Sequence, residues 1–334
     1  MPTAHNLSGS ASLLLLSIGL WLSRSLLGVN IMQLNSVYKM RNMTKITLSL
    51  FLATFIISTA HGKALRSPVQ TGDDIVIAKG DIPTPEKYQP AIQNYLAFVT
   101  NELGEMVEQL DILNQCLKKG HLAQAKSAYI QAHQHYETVR PIIMLFGNTD
   151  RTINPRADYF LDKEKDYRFT GFHLVEYQLF SQQDIKAALP AADELLLKGR
   201  DLHKRVLTET IEIPKLVQAS ADFMEMILET KLSGQENIYS QSDLTDIAAN
   251  AKGSQAIVEV ISPFVEIKTL DQIKENDQKI NKIVQSYQLA KGQYAPYSQL
   301  KRQDKMTLYS LLTQQAELLA TLRAQLDVDV YYKY

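Results

Sequence analysis

The sequence predicts an all-α protein built as two antiparallel four-helix bundles. From Pro85 onward, apolar residues recur every three or four positions almost without a break, the period of a helix with one buried face. Gly and Pro punctuate that pattern at Gly120, Gly147, Pro155, Pro190, Pro214, Gly234, Pro263, Gly292 and Pro296. No alternating run is long enough for a convincing strand, and the helical segments divide into two sets of four.

The first helix runs from Tyr88 to Lys118 on a stripe of Ile92, Leu96, Val99, Leu103, Met106, Leu110, Leu113 and Leu117, and Gly120 ends it. Helices follow at 122–146, 171–181, 186–210, 214–231, 243–262, 268–290 and 304–327. Ahead of them, residues 63–83 carry Pro68, Gly72, Gly80 and Pro83 and read as a linker or short extended arm, leaving 84–334 as the helical domain.

The N-terminal segment has a separate purpose. Met40 to Lys45 is a basic n-region, and Ile46 to Ala60 an apolar h-region too short for a comfortable membrane span. Small residues at Ser58, Ala60 and Gly62 offer cleavage sites, so a cleavable signal peptide and export are expected. A second apolar stretch, Leu13 to Leu27, lies upstream and is interrupted by Ser17, Ser23, Arg24 and Ser25. It reads as an upstream membrane segment or as translated sequence ahead of a true start at Met40 or Met43. The second reading is preferred, because a working signal peptide rarely begins forty residues in. Residues 1–62 are thus a dispensable upstream segment plus signal peptide.

The chain has 334 residues, 45% of them apolar, enough for one large core or two modest ones. Its formal charge is −1, which gives no basic footprint for nucleic acid. Residues 1–62 hold four basic and no acidic residues, so the remaining 31 basic and 36 acidic residues give −5, a balance suited to handling cations. Cys116 is the only cysteine, which excludes disulfides and thiolate clusters; it fits a helical core position.

The chemistry centres on Phe169-Thr170-Gly171-Phe172-His173-Leu174-Val175-Glu176, a loop turning into a helix. His173 and Glu176 are three apart and share a helix face beside an apolar stripe, a plausible half-site for a divalent metal. By spacing alone the larger share goes to a His hydrogen-bonded to a Glu one turn on. A second pair, His133 and Glu137, is i,i+4 on one face, with His135 pointing away. Asp150 lies in the turn-forming loop 148–154, as a further ligand or as a simple cap. Glu236 lies in the segment 233–243, where Asp243 is expected to cap the next helix. There is no Gly-x-Ser-x-Gly, no phosphate-binding Gly loop and no His-Glu-x-x-His, so the residues do not support a peptidase.

Several ordered blocks go further: Ala125-Lys126-Ser127-x-Tyr129, Tyr136-Glu137, Phe169-Thr170-Gly171-Phe172-His173-x-x-Glu176, Ser233-Gly234-x-Glu236-x-x-Tyr239-Ser240-x-x-Asp243-Leu244 and Ala249-Asn250-x-x-Gly253-Ser254-Gln255. From about Lys87 to Asp327 the chain resembles the imelysin-like M75 family, in its branch of EfeO- and EfeM-type iron-uptake proteins. The resemblance implies a pair of antiparallel four-helix bundles in the periplasm, taking up iron or another divalent metal beside a membrane iron permease and a haem-type peroxidase. The 21 residues at 63–83 cannot hold the cupredoxin domain that EfeO carries, so this would be the short form.

His173, Glu176 and Glu137 match the family's metal-site residues. One turn after Glu137 the family has a second Glu where this chain has Arg140; an Asp is replaced by Asn154, and a common His by Gln241. The first two changes alone move a site by about three charge units in the positive direction. Arg140 would then repel a cation and pair with Glu137, while His133 could supply nitrogen, tilting the site from ferric iron towards softer divalent ions. On this reading His173 and Glu176 form the better-preserved locus. A binding module for an acidic polysaccharide such as alginate, using the cleft between bundles with Arg140 and Arg151, is the alternative. An M75-type metallopeptidase ranks last.

Overall fold

The computed structural model describes residues 84–326, and among these the protein is helical almost throughout. The expected upstream segment, signal peptide and linker, and the tail from 327 on, lie outside the described residues. A single 3-10 turn, Glu86–Tyr88, leads into α1 (Gln89–Lys118), with Pro90 in the first turn where its missing N–H costs nothing. Then come α2 (Leu122–Ile143), the short α3 (Thr149–Ile153), the short α4 (Gly171–Glu176), α5 (Ile185–Val206), α6 (Ile213–Met226), α7 (Asp243–Ile261), α8 (Ile267–Gln285) and α9 (Arg302–Gln325).

The helices close into two rings of four, as the periodicity predicts. In one, α1 packs on α2 and α5, and α4 with its continuation closes the circle. In the other, α6 packs on α7 and α9, and α8 fills the gap between α7 and α9. The rings join where α2 runs along α7, and one continuous apolar core passes through both. Tyr95, Leu103, Met106 and Leu110 of α1, Phe172 of α4, and Phe223 and Met224 of α6 are fully buried within it.

Helix ends depart from the sequence reading. The helix expected at 122–146 stops at Ile143, and the one at 268–290 stops at Gln285. Beyond Gln285, where no strand was expected, β1 (Gln288–Ala290) and β2 (Gln293–Tyr294) form an antiparallel hairpin about Gly292, whose φ of 71° permits the turn. Its strands are too short and too exposed to give an apolar alternation. Two helices, read as continuous, finish in π-helical turns: α4 runs on through Tyr177–Gln182, and α6 through Ile227–Lys231. Asp243 does not cap α7; Ser242 holds the cap position, and Asp243 Oδ1 accepts the backbone N–H of Asn237 at 3.3 Å.

Two glycines fix the frame around the buried centre. Gly171 starts α4 at φ 75°, and a Cβ there would stand 2.0 Å from the Ile153 carbonyl oxygen. At Gly253 on α7 a Cβ would stand 2.1 Å from the Thr138 carbonyl oxygen of α2. Only the bare backbone lets α7 approach α2 this closely.

Candidate metal centre

His133, Glu137 and Arg140 follow one face of α2, four and three residues apart, and that face meets α7 where Asp246 and Asn250 stand one turn apart. His173 and Glu176 arrive from α4, Lys231 from the π-helical end of α6, and Glu236 and Asn237 from the connection before α7. His133, Glu137, His173, Glu176, Lys231, Glu236 and Asp246 are all buried.

The two His–Glu pairs that the sequence separates stand side by side, with the His133 and His173 ring centres 5.7 Å apart. His173 Nδ1 donates to Glu176 Oε2 at 2.8 Å. Glu176 Oε1 accepts from the backbone N–H groups of Tyr239 (3.2 Å) and Ser240 (2.8 Å) and from the Ser240 hydroxyl (2.8 Å). His173 Nε2 lies 3.6 Å from Glu236 Oε1 without a hydrogen bond. Thus Glu176 is saturated by donors, and the second ring nitrogen of His173 is left facing Glu236.

His133 Nε2 contacts Asn154 Oδ1 at 3.2 Å and lies 3.5 Å from Glu137 Oε1. Its Nδ1 stands 3.3 Å from Asp246 Oδ1, and neither atom has a hydrogen-bond partner. In the tautomer that gives Nε2–H to Asn154, a nitrogen lone pair faces a carboxylate oxygen, and two acceptors so placed favour a positive charge between them. Ligand atoms about 2.1 Å from one ion stand roughly 3.0 to 3.4 Å apart at octahedral or tetrahedral angles, so this spacing fits. His133, Glu137 and Asp246 together can offer one ligand atom each, all within 4.8 Å of one another.

Resident cations answer the acids. Arg140 pairs with Glu137, as expected from the sequence: Nη1 donates to Glu137 Oε1 at 3.0 Å and to Glu236 Oε1 at 2.7 Å, and Nε to Asp150 Oδ1 at 2.8 Å. Asp150, which also accepts from the Tyr136 hydroxyl at 2.8 Å, therefore acts through Arg140. Lys231 Nζ lies 3.1 Å from Glu137 Oε2 and 3.0 Å from Asp246 Oδ2. Burial works against the charge of Glu236 and Asp246. Lys231 outweighs it, with Arg140 for Glu236 and His133 for Asp246, and holds both carboxyls well below their usual range. Burial would likewise discharge His173, but Glu176 and Glu236 push its pKa up to about 9. Asp243, buried without a cation in contact, is pushed up to about 7.

A cleft of about 900 Å³ opens between α2 and α6, with Arg140, Asp150, Arg151, Asp222, Glu225 and Glu229 on its walls. Arg140 lines this cleft and also contacts Glu137 and Glu236, so its guanidinium stands between the cleft and the buried centre. Sequence reasoning missed Asp246 and Lys231. Asp246 shares a face with Asn250 and Ser254, and Lys231 stands four residues beyond the buried Ile227. Neither spacing points to a partner, because the groups that pair with these two residues come from other segments.

The profile of one protein family, described as imelysin, peptidase M75, matches residues 88–325. The iron uptake system component EfeM of Pseudomonas syringae is 34% identical over 241 residues, covering 71% of this chain and 85% of that protein. The iron uptake system component EfeO of Yersinia pseudotuberculosis is 35% identical over 241 residues, covering 71% of this chain and 64% of that protein, so the chain spans just under two thirds of that relative. An imelysin-like protein from Psychrobacter arcticum 273-4 superposes with a TM-score of 0.53 at 12% identity, covering 73% of this chain and 98% of that one, a likeness of fold.

Proposed function

This chain belongs to the imelysin family, peptidase M75, and from that premise we propose that it is a non-enzymatic component of iron uptake that carries a metal ion in its buried centre. His133, Glu137 and Asp246 hold the ion, with His173, Glu176 and Glu236 alongside. The observation that carries this reading is the 3.3 Å approach of His133 Nδ1 to Asp246 Oδ1, two buried metal-ligating atoms with no hydrogen-bond partner. Burying such groups unpaired is costly, and a shared cation removes the cost. One imidazole and two carboxylates suit ferrous iron and similar divalent ions better than a soft thiolate-seeking metal.

Iron is here the cargo. The names of the EfeM and EfeO relatives support that assignment. Transfer to a membrane iron permease, with a haem-type peroxidase as a further partner, is the finer part of the proposal, as is a periplasmic location reached through the signal peptide. Among the described residues no helix is long and apolar enough to cross a membrane.

Two features weigh against hydrolysis and against a polysaccharide ligand. His133, Glu137 and Asp246 are at most 1% exposed, so an ion can be held there but a peptide bond has no room to lie against them. The cleft between the bundles carries Asp222, Glu225 and Glu229, which repel a polyanion such as alginate.

Anaerobic calorimetry with ferrous ion, and with zinc as a redox-inert companion, tests the reading. Stoichiometric binding is expected, weakened about 10- to 100-fold or more in His133→Ala and Asp246→Asn. Absence of binding, or binding indifferent to both changes, would overturn it.

A further inference from the structure

Lys231 reaches the centre from the π-helical end of α6 and is completely buried. Its ammonium touches carboxylates from three chain segments: Glu137 Oε2 at 3.1 Å, Asp246 Oδ2 at 3.0 Å and Glu236 Oε1 at 3.7 Å. Glu137 and Asp246 each turn one oxygen to Lys231 and the other towards His133, at 3.5 and 3.3 Å. The ammonium and the imidazole therefore share the same two carboxylates from opposite sides.

We propose that Lys231 is a tethered counter-cation that competes with the cargo ion for Glu137 and Asp246, and so sets the affinity of the site. The inference rests on the reading of this centre as a metal site. A divalent ion among His133, Glu137 and Asp246 would lie within a few ångströms of a buried ammonium. Even at an effective dielectric constant of about 20, that repulsion far exceeds thermal energy. Loading therefore weakens the ammonium's hold on the two acids, or moves it away from them. Glu236 Oε1, already 3.7 Å from Nζ and outside the triad, offers the next resting place. A lysine suits such an exchange, being a compact charge on a flexible stem, whereas Arg140 is fixed by a planar fork between Glu137, Glu236 and Asp150. The arrangement keeps buried acids paired when no metal is present, and it lets the ion leave again, since the ammonium returns as it goes.

The test compares ferrous-ion affinity, measured anaerobically by calorimetry on the whole protein, in the wild type, Lys231→Met and Lys231→Gln. The Gln amide can donate to the two acids as Asn237 Nδ2 already does to Asp246 (2.6 Å) and Asn250 Nδ2 to Glu137 (3.1 Å). Removing the competitor should tighten binding about ten-fold or more in both variants, while Lys231→Arg, which keeps a cation, should not tighten it. A variant that folds only when ferrous ion is supplied also supports competition. Affinity equal to or weaker than wild type in folded variants would overturn the proposal. So would variants that stay unfolded with saturating ferrous ion, because the ammonium would then be indispensable to the fold. If neither wild type nor variants bind ferrous ion, the metal reading itself fails. If wild type binds and the folded variants bind no tighter, only the role of Lys231 fails.

Discussion

Glu137 accepts hydrogen bonds from Arg140 Nη1 (3.0 Å), Asn154 Nδ2 (3.3 Å) and Asn250 Nδ2 (3.1 Å) and faces Lys231 at 3.1 Å, all without contact with solvent. Deleting it would leave two buried cations under-paired, which costs far more than the loss of a surface ion pair. We expect Glu137→Ala to destabilise the metal-free protein by about 3–5 kcal/mol in urea unfolding, and to weaken metal binding as well. A loss under about 1 kcal/mol would mean the network is slack. At this scale the sequence was readable where a polar residue came with a partner on the same helix, as for His133 with Glu137 and His173 with Glu176. It was unreadable for Lys231 and Asp246, whose partners come from distant segments. Asp246 has Lys231 and Asn237 on other elements, and one acid inside a helix resembles a solvated face until those neighbours are known.

The helices themselves were legible because apolar spacing encodes a buried face, whichever neighbour covers it. Their ends were less so. Two helices pass into π turns at Tyr177–Gln182 and Ile227–Lys231, one directly after Glu176 and the other carrying Lys231, and a regular period offers no sign of them. The α2–α7 contact is where an element controls the site, since Gly253 lets the Glu137 and Asp246 faces meet. Gly253→Ala would force its Cβ against the Thr138 carbonyl oxygen and the Phe223 ring. The expected cost is about 1–3 kcal/mol from overpacking, together with weaker metal binding as α7 is pushed from α2. Unchanged thermal stability and affinity in that variant would show that the close approach does not hold the site together.

Across the whole molecule, the second ring of helices carries a buried polar ladder far in sequence from the metal centre. Asn276 Nδ2 donates to Gln315 Oε1 at 2.9 Å, and Gln315 Nε2 to Asp277 Oδ1 at 3.0 Å, tying α8 to α9. Burial pushes the Asp277 pKa up to about 6. A carboxyl whose folded pKa is raised favours the folded state most when it is protonated. Its contribution is therefore intact below about pH 4 and is lost as the pH rises through 6. Asp277→Asn should accordingly match the wild type near pH 4 and exceed it by about 2–3 kcal/mol above pH 7, read from urea midpoints across that range. A constant difference at every pH would contradict the raised pKa. The two-ring plan was legible as a whole because eight apolar stripes need mutual cover, whereas the short hairpin at Gln288–Tyr294 has no stripe to reveal it.

The location of the ion decides the central claim. Crystals soaked in ferrous or zinc ion and measured at the metal absorption edge should give one dominant anomalous peak, about 2.0–2.3 Å from a ring nitrogen of His133 and from oxygens of Glu137 and Asp246. A strong peak confined to surface carboxylates such as Glu225 and Glu229, with His133 and Asp246 unmoved and unbound, would contradict it.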